Sequence, residues 1–375
     1  MIETVNMRQA GGLMSAKRIT ILGAGNTGFS LAANLALAGH EVLLWEHPAF
    51  ASAIEPLRDS LTIQLDGAAR TGEATLAAVT TDARQALEWS DLLLAAVPSY
   101  AHAAFAERIV PELRAGHLLA LLPGNLGTLA FKRALAAAGT ADVTLVESDT
   151  APYVCRKTGP SRAVIWGTVL AMGIGVLPTS RTEAAQDRLA GLFSGIRGYP
   201  NVLAAGLSAL NPIVHPPGVL LNAGRIERSR GEFWFYEEGV TPAVVVAIEA
   251  LDQERLAIGA AFGLQLIPVA QAFHEAGFGP AGDLWAVING SRMVTALRAP
   301  GAINTRWLTE DVPFGLVTWA ALADVAAVET PTLGAVVTLT SAVMGTDFRA
   351  SGRSLADLGL DGMSLSEITG FVSRI

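Results

Sequence analysis

From residue 19 onward the chain repeats one plan. Short, nearly continuous apolar runs at 19–22, 42–45, 91–97, 117–122 and 143–146 are separated by Ala- and Leu-rich stretches of helical period. Glycine, proline or a polar cluster ends most of these runs. Runs without polar alternation predict strands covered on both faces, and their alternation with helices predicts a parallel, doubly wound α/β sheet. A helix predicted over 28–38 stops at Gly39, in keeping with the preference for glycine just past a helix end. Residues 61–65 predict a further strand in a hairpin insertion, and 163–180 predicts buried strands joined by a turn. After Asn201 the strand signals stop, and helical stretches broken by Gly and Pro follow, among them 240–262, 267–276 and 331–343.

The turn after the first strand reads Gly23-Ala24-Gly25-Asn26-Thr27-Gly28. G-x-G-x-x-G alone is common. Here it leaves a strand, opens a helix and is followed by Glu46 at the end of the next strand, which is the context of a dinucleotide-binding Rossmann turn. Gly23 permits the tight turn, Gly25 admits the pyrophosphate to the backbone, and Gly28 lets helix and strand pack closely. The free N–H groups at the helix start favour phosphate. Glu46 is expected on the ribose hydroxyls, which favours NAD because a carboxylate repels a 2′-phosphate; Arg58, nearby in sequence, keeps NADP open. Val97-Pro98-Ser99 ends a strand at the edge where such sheets bind ligands, and is expected to line the cofactor. The fold class is therefore a mostly parallel Rossmann domain followed by an all-α second domain. The predicted division is an N-terminal extension over 1–15, disordered or a misassigned start, a Rossmann domain over 16–200 and a helical substrate and catalytic domain over 201–375.

Composition narrows the function. Hydrophobic residues make up 51% of the 375 and charged residues 16%, which excludes a disordered chain. The long weakly charged stretches are broken by glycine, proline or acid, so no membrane span is expected. A net charge of −8 with only Lys17, Lys132 and Lys157 as lysines argues against nucleic acid. The single cysteine, Cys155, excludes an intrachain disulfide and a cysteine-rich zinc site, and no metal is expected. The N-terminus lacks a signal-peptide pattern, which makes the cytoplasm the default expectation.

The chemistry must come from the helical half. No lysine follows Lys157, so a lysine general acid there is excluded by inventory. What that half offers is Asn211-Pro212-Ile213-Val214-His215-Pro216-Pro217. The prolines suit a first helical turn, placing His215 at the helix entrance facing the cleft and Asn222 two turns on along the same face. Further on comes the polar cluster from Arg306 to Asp311, in RWLTEDVP. Read alone, His215 suits a loop cap, Asp311 a turn, Arg306 a surface ion pair, Asn222 a bridge between helices and Cys155 a small buried residue.

Together, GAGNTG, VPSYAH, PGN, ESDTAPYVCR, NPIVHPPGVLLNAGRIE, RWLTEDVPFGLV and GRSLADLGL resemble the octopine/opine dehydrogenases, in the same order over nearly the whole chain. HPPGVLLNAG and TEDVP are the specific segments. The resemblance implies a His215–Asp311 catalytic dyad, Arg306 on the keto-acid carboxylate, and Asn125, Thr150 and Cys155 on the amino-acid substrate. Trp307 stands where the family pattern has tyrosine, and Ala151 where it has a bulkier apolar residue; both departures bear on the substrate rather than the chemistry. The implied reaction joins an amino acid to an α-keto acid and reduces the resulting imine with NADH. A histidine moves protons near neutral pH, and an arginine fork pairs with a carboxylate. Two alternatives stay open: a two-domain Rossmann dehydrogenase that reduces a keto acid without condensation, and a non-enzymatic dinucleotide sensor. The amino acid, the keto acid and the oligomeric state, a homodimer among the options, are not legible.

Overall fold

The computed structural model describes residues 16–140 and 142–374. The expected extension over 1–15 lies outside the described residues. Among the described residues, twelve strands follow in order. They are β1 (Arg18–Leu22), β2 (Glu41–Trp45), β3 (Thr62–Gly67), β4 (Gly72–Thr75), β5 (Ala78–Thr80) and β6 (Leu92–Ala95). They continue as β7 (Leu118–Leu121), β8 (Thr144–Ser148), β9 (Tyr153–Gly159), β10 (Arg162–Thr168), β11 (Met172–Leu177) and β12 (Ile196–Gly198). The main sheet has eight strands in the order β12-β11-β8-β7-β6-β1-β2-β5. It is parallel throughout except where β11 meets β8 antiparallel. β6 and β7 are buried at every position, as their unbroken apolar runs require. The strand order turns back between β1 and β6, at the carboxyl edge where such sheets bind ligands.

A second sheet, β4-β3-β10-β9, goes beyond the expected hairpin. β3 and β4 form that hairpin, but β3 also pairs parallel with β10, Arg162 opposite Gln64. The helix Asn26–Leu37 packs against β2 of the main sheet and against β4 and β9 of the second. Residues 28–35 of that helix are accordingly all buried. Its mostly apolar sequence follows from being covered on both sides.

β12 ends at Gly198, and from Val202 on every described regular element is helical, apart from one isolated bridge between Trp234 and Arg298. The first of these helices, Val202–Leu207, still packs on β8 and β11, so the chain crosses out of the sheet layer only after it. Helices Asn211–Leu221, Pro242–Ala261 and Pro331–Met344 pack on one another as the core of the second half. The chain then returns to the sheet domain. Arg353 enters it, and Thr179 Oγ1 donates to the Ser373 carbonyl in the last helix, Leu365–Arg374.

The prolines around His215 sit differently from the expectation. Only Pro212 occupies the first turn of helix Asn211–Leu221; Pro216 and Pro217 lie inside it. His215 is therefore in the second turn rather than at the entrance, where the helix dipole has largely fallen off. Interior prolines remove backbone bonds and strain a helix. Burial of Ile213, Val214 and Val219 on the neighbouring helices holds this one together.

Candidate active site

The glycine turn is a backbone structure with side-chain bracing. Gly23 has φ +99° and its N–H donates to the Trp45 carbonyl at 2.8 Å. A Cβ on Gly23 would lie 2.5 Å from Val97 Cγ1, and one on Gly28 would lie 1.9 Å from the Gly23 carbonyl oxygen. A Cβ on Gly25 would meet nothing within 4 Å. Two glycines are thus required by contact, and the third faces open space at the start of a helix. That is a cradle a dinucleotide pyrophosphate fits.

Glu46 is buried. Its Oε2 accepts the Ala24 N–H and its Oε1 the His47 N–H, both at 2.7 Å. Burial raises its carboxyl above the usual range, against the pull of those two amides. The carboxylate expected on the ribose therefore also braces the turn, with a lone pair left on each oxygen. Asn26 is held from the second sheet: its Oδ1 accepts the Lys157 N–H at 3.0 Å, and its carbonyl accepts from Cys155 Sγ at 3.5 Å. Lys157 lies 4.1 Å over the Phe29 ring and is close enough to feel the Glu46 charge. Arg58 instead pairs with Glu55 at 2.8 Å on the surface.

The helical half contributes side chains. His215 Nδ1 lies 2.8 Å from Asp311 Oδ2, across a sequence separation of 96 residues. With a carboxylate accepting there, Nδ1 carries the hydrogen and Nε2 is left with a free lone pair. The Tyr236 hydroxyl lies 3.2 Å from that Nε2. The Trp307 indole stacks on the imidazole at 4.4 Å and 7°, and Phe235 closes on the indole edge. Asp311 is buried, and burial pushes its carboxyl above the ordinary range against the His215 contact. Burial likewise raises the Tyr236 phenol, which stays protonated.

Arg306 lies five residues before Asp311, at the start of the short helix Arg306–Thr309. Its side chain is 54% exposed, and its Nε donates to Glu310 Oε2 at 2.6 Å. Glu310 Oε1 accepts the Ser99 N–H at 2.8 Å, across the two domains. Ser99 Oγ accepts from Asn125 Nδ2 at 3.0 Å. The Ser99 carbonyl accepts from the buried Arg353 at 3.3 Å, and Arg353 also reaches the Asn125 carbonyl. Burial lowers the Arg353 guanidinium to about 10, still charged at neutral pH.

The predicted residues thus fall into three groups. Arg306, Ser99 and Asn125 are linked through Glu310, and the His215–Asp311 pair lies near enough for the Asp311 charge to act on Arg306. Gly23 to Gly28, Glu46, Val97 and Cys155 gather at the glycine turn, with Pro98 leading from Val97 to Ser99. Asn222 and Thr150 are bound into the fold. Asn222 Nδ2 donates to the Gly218 and Gly239 carbonyls, both at 2.9 Å, and the Thr150 carbonyl accepts from Ser148 Oγ at 2.7 Å. Next to Thr150, the buried Asp149 accepts from the Gly173 N–H and the Tyr199 hydroxyl, and burial raises its carboxyl to about 7. Sequence reasoning missed Tyr236, Glu310 and Arg353 as site residues. The four-residue spacing of Arg306 and Glu310 was a usable signal for an ion pair on one helix face. Tyr236 sits in a π-helical turn, Phe235–Gly239, that no sequence pattern marks.

Comparison with known proteins covers the same ground. Residues 198–344 match the α-helical domain of the NAD/NADP octopine/nopaline dehydrogenases, and residues 18–124 match the N-terminal domain of the NAD-dependent glycerol-3-phosphate dehydrogenases. An octopine dehydrogenase structure solved with NADH and pyruvate shares the fold at TM-score 0.74 and 20% identity, over 95% of this chain and 98% of that one. A yersinopine dehydrogenase solved with NADP+ does so at TM-score 0.71 and 19% identity, over 96% and 98%. The opine dehydrogenase of Arthrobacter sp. (strain 1C) is 34% identical over 358 residues, 95% of this chain and 99% of that enzyme. Identity at that level from end to end goes beyond a shared fold, and the chain belongs to the opine dehydrogenase family of NAD(P)-dependent oxidoreductases acting on CH–NH donors.

Proposed function

We propose that this enzyme condenses the amine of an amino acid with an α-keto acid and reduces the imine to a secondary amine, with NADH as the preferred cofactor, and that His215 and Asp311 carry the proton chemistry. The observation that supports this most is the dyad itself: a histidine on a buried carboxylate, stacked on Trp307, with the exposed Arg306 close enough to feel the Asp311 charge. When bound, the reduced nicotinamide supplies a hydride.

The chain's own residues have three tasks. Arg306 receives the keto-acid carboxylate through its guanidinium fork and so orients the carbonyl carbon. His215 Nε2 delivers a proton to the hydroxyl that leaves as water when the amine has added to that carbonyl, and takes one from the attacking amine. Asp311 holds the ring and stabilises its protonated form while Tyr236 keeps Nε2 aligned. Asn125 and Thr150, at the carboxyl ends of neighbouring strands, are proposed on the amino-acid side, and Cys155 and Asn222 support that side from the glycine turn and the helix end. Glu46 and the turn from Gly23 to Gly28 bind the adenosine end, and the lone pairs left on Glu46 favour free ribose hydroxyls over a 2′-phosphate.

The test is an initial-rate screen of NADH oxidation, with amino acids crossed against pyruvate, glyoxylate, oxaloacetate and 2-oxoglutarate. Condensation requires both substrates. Full turnover on a keto acid alone contradicts it in favour of simple carbonyl reduction.

A further inference from the structure

Glu310 has no part in the proton chemistry, yet it is almost fully buried beside it, its side chain 7% exposed. A buried carboxylate is retained only where its oxygens are satisfied. Each oxygen of Glu310 has a different partner: Oε2 takes the Arg306 Nε–H at 2.6 Å, and Oε1 takes the Ser99 N–H at 2.8 Å. Ser99 belongs to the strand-end turn of the dinucleotide domain, 211 residues away in sequence. That turn is pinned on its other polar groups as well, its hydroxyl by Asn125 and its carbonyl by Arg353. Arg306, by contrast, is exposed on a long flexible side chain, and Glu310 is its single hydrogen-bond partner among the described residues. An unheld arginine loses rotamer entropy on gripping a ligand.

We propose that Glu310 is a positioning residue for the reaction: its carboxylate fixes the Arg306 guanidinium for the keto acid and registers it against the Ser99 turn of the opposite domain. This role rests on Arg306 receiving the keto-acid carboxylate. Holding Nε in the ion pair leaves the two terminal nitrogens of the fork for the substrate. The keto acid is thereby placed relative to the cofactor-binding edge rather than to the helical domain alone.

The two contacts separate by substitution. In Glu310→Gln, one amide oxygen can still accept the Ser99 N–H, but the amide NH2 faces the Arg306 donor. The keto-acid KM then rises by about tenfold, the scale of one lost charged hydrogen bond, while the NADH Kd from fluorescence titration and the amino-acid KM stay at wild-type values. In Glu310→Ala both contacts go, and NADH binding weakens as well. In the double variant Glu310→Gln/Arg306→Ala, the keto-acid KM is no worse than in Arg306→Ala, because Glu310 acts through Arg306. Should Glu310→Gln melt well below the wild type, Glu310→Asp, too short to span both partners, gives the same KM reading. An unchanged keto-acid KM in Glu310→Gln, or fully additive effects in the double variant, overturns the role of Glu310. An unchanged keto-acid KM in Arg306→Ala instead overturns the assignment of Arg306 itself.

Discussion

The two sides of the cleft are made of different material. The glycine turn is backbone: positive φ at Gly23, a contact at Gly28 that no side chain could share, and open space at Gly25. The dyad side consists of side chains brought together from helix Asn211–Leu221 and from the segment around Asp311, with Tyr236 and Trp307 as packing partners. A backbone site depends on residues a few positions apart and tolerates little but glycine. A side-chain site depends on tertiary packing and changes with single atoms. Substitutions on the dyad side are therefore expected to change rates, and those on the turn side to change cofactor affinity and stability.

The largest expected effect is on His215. His215→Ala lowers kcat by about 10²–10⁴-fold if proton transfer is its task, with NADH affinity unchanged. Asp311→Asn costs less, and the two combined cost far less than their product, since they act as a unit. Near-native kcat in His215→Ala would move the chemistry elsewhere. Next comes Arg306→Ala, which raises the keto-acid KM and lowers kcat because the carbonyl carbon loses its orientation. Arg306→Lys recovers little, since an ammonium cannot reproduce the fork. A mutant whose main defect is NADH binding would break the contrast between the two sides.

The turn side was the more legible of the two. GAGNTG, its flanking strand and helix, and Glu46 are all local in sequence, so the pattern and the physical requirement coincide. The structure added what locality could not: Glu46 bracing Ala24, and Asn26 held by Lys157 and Cys155 from β9. The second sheet escaped because β3 finds its partner β10 across about a hundred residues, with no spacing rule to announce it. On the dyad side, His215 and the Arg306–Asp311 cluster stand out as polar residues in an apolar half, but their roles come from resemblance to a family, not from periodicity. Reading the prolines as a helix start misplaced His215, because tertiary burial keeps Pro216 and Pro217 inside the helix. Glu310 and Arg353 were visible as letters, but only packing shows that both grip Ser99.

Smaller effects sharpen the comparison. Glu46→Ala weakens NADH binding and narrows the gap to NADPH in fluorescence titrations. It also lowers the melting temperature, since the buried Ala24 amide loses its acceptor at a cost of about 1–3 kcal/mol. A native enzyme that already favours NADPH would contradict the ribose assignment. The remaining effect concerns pH. Asp149 titrates at about 7 in the fold against 3.8 ordinarily, so the native state holds a proton the unfolded chain has released. Its contribution to stability is therefore greatest below 3.8 and falls as the pH rises to about 7. Asp149→Asn removes that slope. The variant's melting temperature, compared with the wild type, improves between pH 5 and pH 8. A constant difference would show that Asp149 is ionised throughout.

The central claim is that this site reduces a condensed imine rather than a free carbonyl. Turnover with NADH deuterated at the transferred position, an amino acid and a keto acid, followed by mass spectrometry of the product, tests it directly. The account predicts a secondary amine carrying both carbon skeletons, with deuterium on the carbon that was the keto-acid carbonyl. A deuterated 2-hydroxy acid, with the amino acid recovered unchanged, would contradict it.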